Sequence, residues 1–154
     1  MQSAEPRAIF EAYLRAMNSG DTDTLRELVH PDFTETYPQS GELIRGFENL
    51  RAEIVGHPGG FQGKGTARIV GSADRWAVTP SNTVLRIEGA GDTFTGVSMV
   101  HYSDETDWYA VMIGEIRDGL VWRVQTFWGP MFEAPAYRSS IVEMIQPAER
   151  TPAR

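Results

Sequence analysis

The chain contains no cysteine. Disulfides, thiolate metal sites and cysteine nucleophiles are excluded together. No apolar run approaches the ~18 residues that a membrane span requires. The first seven residues carry no apolar signal core, so an untargeted, cytoplasmic chain with no membrane partner is expected. Basic residues are in deficit, 14 against 21 acidic, for a net charge of −7. Such a chain repels phosphate backbones, no lysine or arginine stripe offsets this, and no nucleic-acid partner is expected. His30, His57 and His101 lie far apart, without a His-x-x-x-His pair or an HExxH motif, so no metal site is expected. The run Gly63-Lys64-Gly65 falls short of a phosphate loop, with Pro58 at the first glycine position and no hydroxyl residue after the lysine.

What is present is an ordinary globular composition, 41% hydrophobic and 23% charged over 154 residues. Disorder is excluded, and one domain over 1–146 with a frayed tail over 147–154 is expected. Phe10, Tyr13, Leu14 and Met17 recur at helical spacing and predict a helix over 4–18, stopped by Gly20. Asp21 caps a short second helix carrying Leu25, Leu28 and Val29, ended by Pro31. Residues 32–37 alternate as a strand, 38–41 form a turn, and a third helix runs over 46–55. A glycine-rich loop spans 57–65. From Thr66 the chain reads as strands over 66–79, 83–89, 93–103, 106–116 and 120–128, with a last helix over 135–145. Helices first and an antiparallel meander after make an α+β fold. The expected form is a cone-shaped barrel, in which a strongly curved, mainly antiparallel sheet wraps the N-terminal helices and encloses an apolar pocket.

The turn Arg117-Asp118-Gly119 predicts a three-residue hairpin loop that pairs Gly114 with Trp122, Met112 with Val124, Ala110 with Thr126 and Trp108 with Trp128. One face then carries Trp108, Met112, Trp122, Val124, Thr126 and Trp128, the candidate substrate-binding set. Small Ala110, Gly114 and Thr126 among the tryptophans leave room for a cavity. The other face, with Tyr109, Val111, Ile113 and Phe127, is also apolar. A half-exposed strand alternates more cleanly, so a homodimer through this outer face is expected, with cover by the chain's own tail as the alternative. Asp104, Glu105 and Asp107 read as a solvated turn.

Phe33, Glu35 and Tyr37 share a face by period two. If Phe33 points inward, Glu35 lies in an apolar cavity with its pKa raised, which suits acid–base work. The alternatives are that only Phe33 is buried, or that Glu35 pairs with an arginine such as Arg45.

The order helix, Gly20-Asp21, helix, His30-Pro31-Asp32-Phe33, Pro38-Gln39-Ser40-Gly41, Ile44-Arg45-Gly46, then a meander ending in Arg117-Asp118-Gly119, resembles the SnoaL-like, polyketide-cyclase-like branch of the nuclear-transport-factor-two-like superfamily. The tail segment from Met131 to Arg138 carries the same resemblance, which extends over residues 6–145. It implies the cone-shaped fold, a deep pocket, frequent dimers and a range of functions from isomerases to non-catalytic carriers. Against ketosteroid isomerases, Tyr13 falls at the oxyanion tyrosine and Trp128 at a pocket tryptophan. Tyr37 and Met112 replace two aspartates. Against limonene epoxide hydrolases and SnoaL cyclases, Thr126 replaces the acid–base aspartate, and Gly129 stands at a second acidic position. Any chemistry therefore falls to Glu35, Tyr13, Tyr37 or His101. The expectation is a cofactor-independent isomerase, cyclase or hydrolase acting on a small hydrophobic carbonyl or epoxide. A non-catalytic protein that binds a hydrophobic small molecule, or a domain whose pocket is self-filled, is the alternative.

Overall fold

The computed structural model describes residues 5–57, 68–71, 91–102 and 106–145. The phosphate-loop candidate, the strand over 83–89, Asp104, Glu105 and the tail over 147–154 lie outside them. Three helices precede most of the sheet: α1 (Pro6–Ser19), α2 (Thr22–Leu28) and α3 (Gly46–Gly56). Six strands follow the order β2-β1-β6-β5-β4-β3, where β1 is Val29–Tyr37, β2 Glu42–Arg45, β3 Arg68–Gly71, β4 Thr93–His101, β5 Asp107–Arg117 and β6 Leu120–Pro130. Among the described residues only β1 against β6 is parallel; the other described pairs are antiparallel. The fold is α+β, a curved sheet packed on its helices, with β2 and β3 as its edges among the described residues.

Local chemistry sets the helix ends. Pro6 opens α1, where its missing N–H costs nothing. Gly20, at φ 69°, closes it in the left-handed conformation and returns its N–H to Met17. Asp21 caps α2 by accepting from the Thr24 N–H at 3.0 Å. The second helix ends sooner than expected, at Leu28; Val29, His30 and Pro31 already belong to β1. The core lies between α1, α3 and the inner sheet face, around Phe10, Leu14, Leu25, Phe33 and Leu50.

The last hairpin differs from expectation. Asp118 and Gly119 both have positive φ, 53° and 75°. That makes a two-residue loop, closing Arg117 against Leu120. A bulge follows at once: Ile116 faces Val121, Glu115 faces Arg123, and Trp122 is the extra residue. Met112 therefore pairs with Thr126, Gly114 with Val124 and Ala110 with Trp128. Beyond the bulge the parity is unchanged, so Val124 and Thr126 still face inward. At the bulge it inverts. Val121 is buried, and Trp122 turns out between Arg117 and Arg123, whose guanidiniums lie 4.3 and 3.7 Å from its ring centre. Trp122 is thus removed from the expected substrate-binding face.

The expected C-terminal helix reduces to one turn of 3-10 helix, Ala136–Arg138. Phe132, Tyr137, Ile141 and Met144 around it stay exposed. A short segment that buries no apolar stripe has nothing to offset the cost of helix nucleation.

Candidate functional site

Strand β1 carries the centre of the site. Its alternation turns Phe33, Glu35 and Tyr37 to the helices. Glu35 has no exposed surface. It does not meet Arg45. Its Oε1 accepts a 2.5 Å hydrogen bond from the hydroxyl of Thr126, itself fully buried on β6. Its Oε2 accepts none. Burial pushes the Glu35 pKa up to about 7, and the Glu53 carboxylate adds to this; the Thr126 and Tyr37 hydroxyls pull the other way. Glu35 thus exchanges its proton near neutral pH, where an ordinary glutamate does not.

Two residues on, the Tyr37 hydroxyl donates to Glu53 Oε1 at 2.7 Å. The Tyr37 pKa is pushed far up by burial and by the charges of Glu35 and Glu53, so the phenol keeps its proton. Glu53, on α3, is itself raised, chiefly by burial. Sequence periodicity passed over this glutamate. It stands three residues after buried Leu50 and one before buried Ile54, at the margin of the apolar stripe of α3. Tyr13 lies fully buried on α1, its hydroxyl without a hydrogen bond and its pKa raised by burial and by Glu35. Two carboxyls and two phenols are therefore electrostatically coupled, with Glu35 and Tyr13 in the core, Tyr37 half-buried and Glu53 at the surface.

Beside this cluster opens a cavity of about 740 Å³. Tyr37 and Glu53 line it, as do Met17, Ile54 and Met112. Tyr102, Trp108 and Trp128 line it too. Gln39 holds Trp128 through both amide atoms. It donates to the Trp128 carbonyl and accepts from the Trp128 N–H, each at 2.6 Å.

Of the expected binding residues, Trp108, Met112 and Trp128 line this cavity. Val124 and Thr126 face the same side but are sealed, Val124 in the core and Thr126 against Glu35. Trp122 is on the opposite side of the sheet. Of the expected catalytic residues, Tyr37 lines the cavity, while Glu35 and Tyr13 lie in the core beside it. His101 ends β4 opposite Asp107; its side chain lies outside the described residues. Gln39, Glu53, His57 and Tyr102 join the site from a turn, a helix margin and two strand or helix ends, where no periodicity marks them. No group of metal-ligating side chains gathers among the described residues, and no described helix is long and apolar enough to cross a membrane.

The model of the SnoaL-like domain matches residues 10–124. The chain belongs to the SnoaL-like family. An NTF-2 like protein of unknown function from Burkholderia xenovorans is similar at 30% identity and a TM-score of 0.65, over 92% of this chain and 95% of that one. A candidate ketosteroid isomerase from Kribbella flavida is similar at 23% identity and a TM-score of 0.61, over 92% and 90%. An LEH-like epoxide hydrolase from M. tuberculosis shares 16% identity at a TM-score of 0.50, over 84% and 86%. The last two likenesses are of fold. No curated protein matches the chain.

Proposed function

We propose that this SnoaL-like protein is a cofactor-independent acid–base enzyme acting on a small hydrophobic carbonyl or epoxide compound. One observation carries it: Glu35 is wholly withdrawn from solvent, anchored through one oxygen by Thr126, unsatisfied at the other, and titrates near 7. A buried unpaired carboxyl oxygen costs stability, and such costs concentrate where chemistry needs them. Tyr37 turns its hydroxyl from Glu53 to the substrate oxygen and passes the proton in one relay, as protonated Glu35 replaces it, so that no phenolate forms. Glu53 takes the proton that leaves, from the carbon next to a carbonyl or from a water attacking an epoxide carbon. The proton gained by Glu53 and the one lost by Glu35 balance, and solvent exchange resets the pair.

Hydrophobic ketones and epoxides, titrated against tryptophan fluorescence with product followed by mass spectrometry, test this. Saturable quenching with product formation is expected. Tyr37→Phe should then lower kcat by roughly 100-fold with little change in KM. A second reading is favoured by Met112 and Thr126, which stand where related enzymes carry aspartate. It is a non-catalytic binding protein, and quenching without product over hours would select it.

The outer sheet face is proposed to pair with a second copy. Val111 and Phe127 sit directly opposite each other there, Phe127 is exposed, and the tail adds exposed Phe132 and Tyr137. Sedimentation at micromolar concentration should give twice the 17.2 kDa chain mass. A single-chain mass there would leave the face to the chain's own tail.

A further inference from the structure

The aromatic part of the cavity has a shape of its own. Tyr102 is the hub. Its ring meets Trp108 edge-on at 6.2 Å and 88°, and Trp128 at 6.4 Å and 48°. The three rings are inclined to one another and all three line the cavity, where they form an aromatic corner. The polar side of the same cavity is acidic, with Glu42 and Glu53 both on its wall. The described lining residues include no lysine or arginine. Their one basic group is His57, whose ring stacks on Tyr102 at 5.6 Å. Electron-rich ring faces and carboxylates are the two groups that attract a weakly hydrated cation, and an apolar corner excludes the water that would compete for it.

The geometry points to a ligand that is an organic cation: we infer that the cavity takes a hydrophobic molecule bearing a substituted ammonium group, held in the Tyr102–Trp108–Trp128 corner and facing Glu53 and Glu42. This rests on the reading of the cavity as the substrate site and narrows its substrate class. The same walls disfavour a carboxylate or phosphate ligand, which would meet two glutamates.

Benzoylcholine and 3,3-dimethylbutyl benzoate test it. They share size, shape and an ester carbonyl, and differ by one positive nitrogen in place of carbon. Equilibrium dialysis on the full chain should find the cation bound about tenfold more tightly than the neutral ester. Trp108→Phe weakens the ring quadrupole while keeping an apolar ring, and Glu53→Gln removes a charge while keeping the shape. Each should cut that preference several-fold, read as the ratio of the two affinities measured on the same variant. If the neutral ester binds as tightly as the cation, or the preference survives both substitutions, the cation assignment is overturned and the hydrophobic carbonyl reading stands. If neither compound binds at millimolar concentration, the cation assignment falls together with the reading of this cavity as a substrate site.

Discussion

Glu35→Gln is expected to lower turnover of a confirmed substrate by about 10³-fold and, in the same protein, to raise stability above pH 7. The two effects share one cause. A carboxyl with no exposed surface has lost its hydration, and only the Thr126 hydroxyl replaces it directly. Glutamine keeps the size and leaves an oxygen to accept from Thr126, but it has no proton to pass to Tyr37. General acid–base groups contribute ~10²–10⁴-fold, and the loss should fall inside that range. With Glu35 needed as an acid, the wild-type rate should fall as pH rises through about 7. In Glu35→Gln that limb should vanish from the residual rate. A variant with full turnover and an unchanged pH profile would remove Glu35 from the chemistry.

The stability side follows from proton linkage. The unfolded chain ionises Glu35 near 4.5, the folded chain near 7. Between those values the folded state binds more protons than the unfolded one, so stability falls as pH rises. The loss accumulates from about pH 4.5 to about 7 and is then constant, at about 3 kcal/mol for this one group. Glutamine does not ionise and escapes it. Thermal unfolding at pH 8 should therefore place the variant roughly 5–10 °C above the wild type, and the gap should close near pH 4.5. Equal melting temperatures at pH 8 would mean that the carboxylate is better solvated than its burial implies.

Glu35 was legible in the sequence because period two is rigid. Once Phe33 is inside, Glu35 and Tyr37 follow. The same logic placed Val124, Thr126 and Trp128 inward even though the assumed hairpin loop was one residue too long. It failed at Trp122, because a bulge inverts parity and leaves no local signal beyond an Asp-Gly turn whose two left-handed residues shorten the loop. The partner of Glu35 was also out of reach. Thr126 stands 91 positions away, across a parallel pairing that no hairpin dictates. Glu53 was hidden by its type, since a glutamate at a helix margin reads as solvent-facing, and what ties it to the site is the Tyr37 hydroxyl, a partner 16 positions away. The tail failed for the opposite reason. Its apolar residues at near-helical spacing imply a buried stripe, yet Tyr137 and Ile141 stay exposed and the helix does not propagate.

Gly114→Ala is expected to destabilise the protein by about 3 kcal/mol, although it adds one methyl group to a strand interior where alanine is normally preferred. The small residues of the inner sheet face were expected to leave space for a ligand. At Gly114 that space is taken. A Cβ there would stand 2.2, 2.7 and 2.8 Å from three atoms of the Phe10 ring. The ring has nowhere to go, being fully buried and stacked near Tyr13 at 6.1 Å and Phe94 at 6.2 Å. The strand cannot yield either, because Gly114 is paired on both sides, with Phe94 and Val124. One helical turn later, Leu14 sits against Gly96 in the same manner, with its Cδ1 2.4 Å from where a Cβ would stand. Helix α1 is thus seated on two glycines at the spacing of its own i, i+4 ridge, and this brings Tyr13 towards Glu35 and Met17 into the cavity wall. Lifting α1 off Gly114 should therefore open the site as well as loosen the core. Melting should drop by roughly 6–12 °C. Phe10→Leu in the Gly114→Ala background should recover part of that loss, since the smaller side chain makes room for the methyl group. A coupling of about 1–3 kcal/mol in the double-mutant cycle is expected, and additive losses would show that the close approach of Phe10 to Gly114 does not govern the packing of α1.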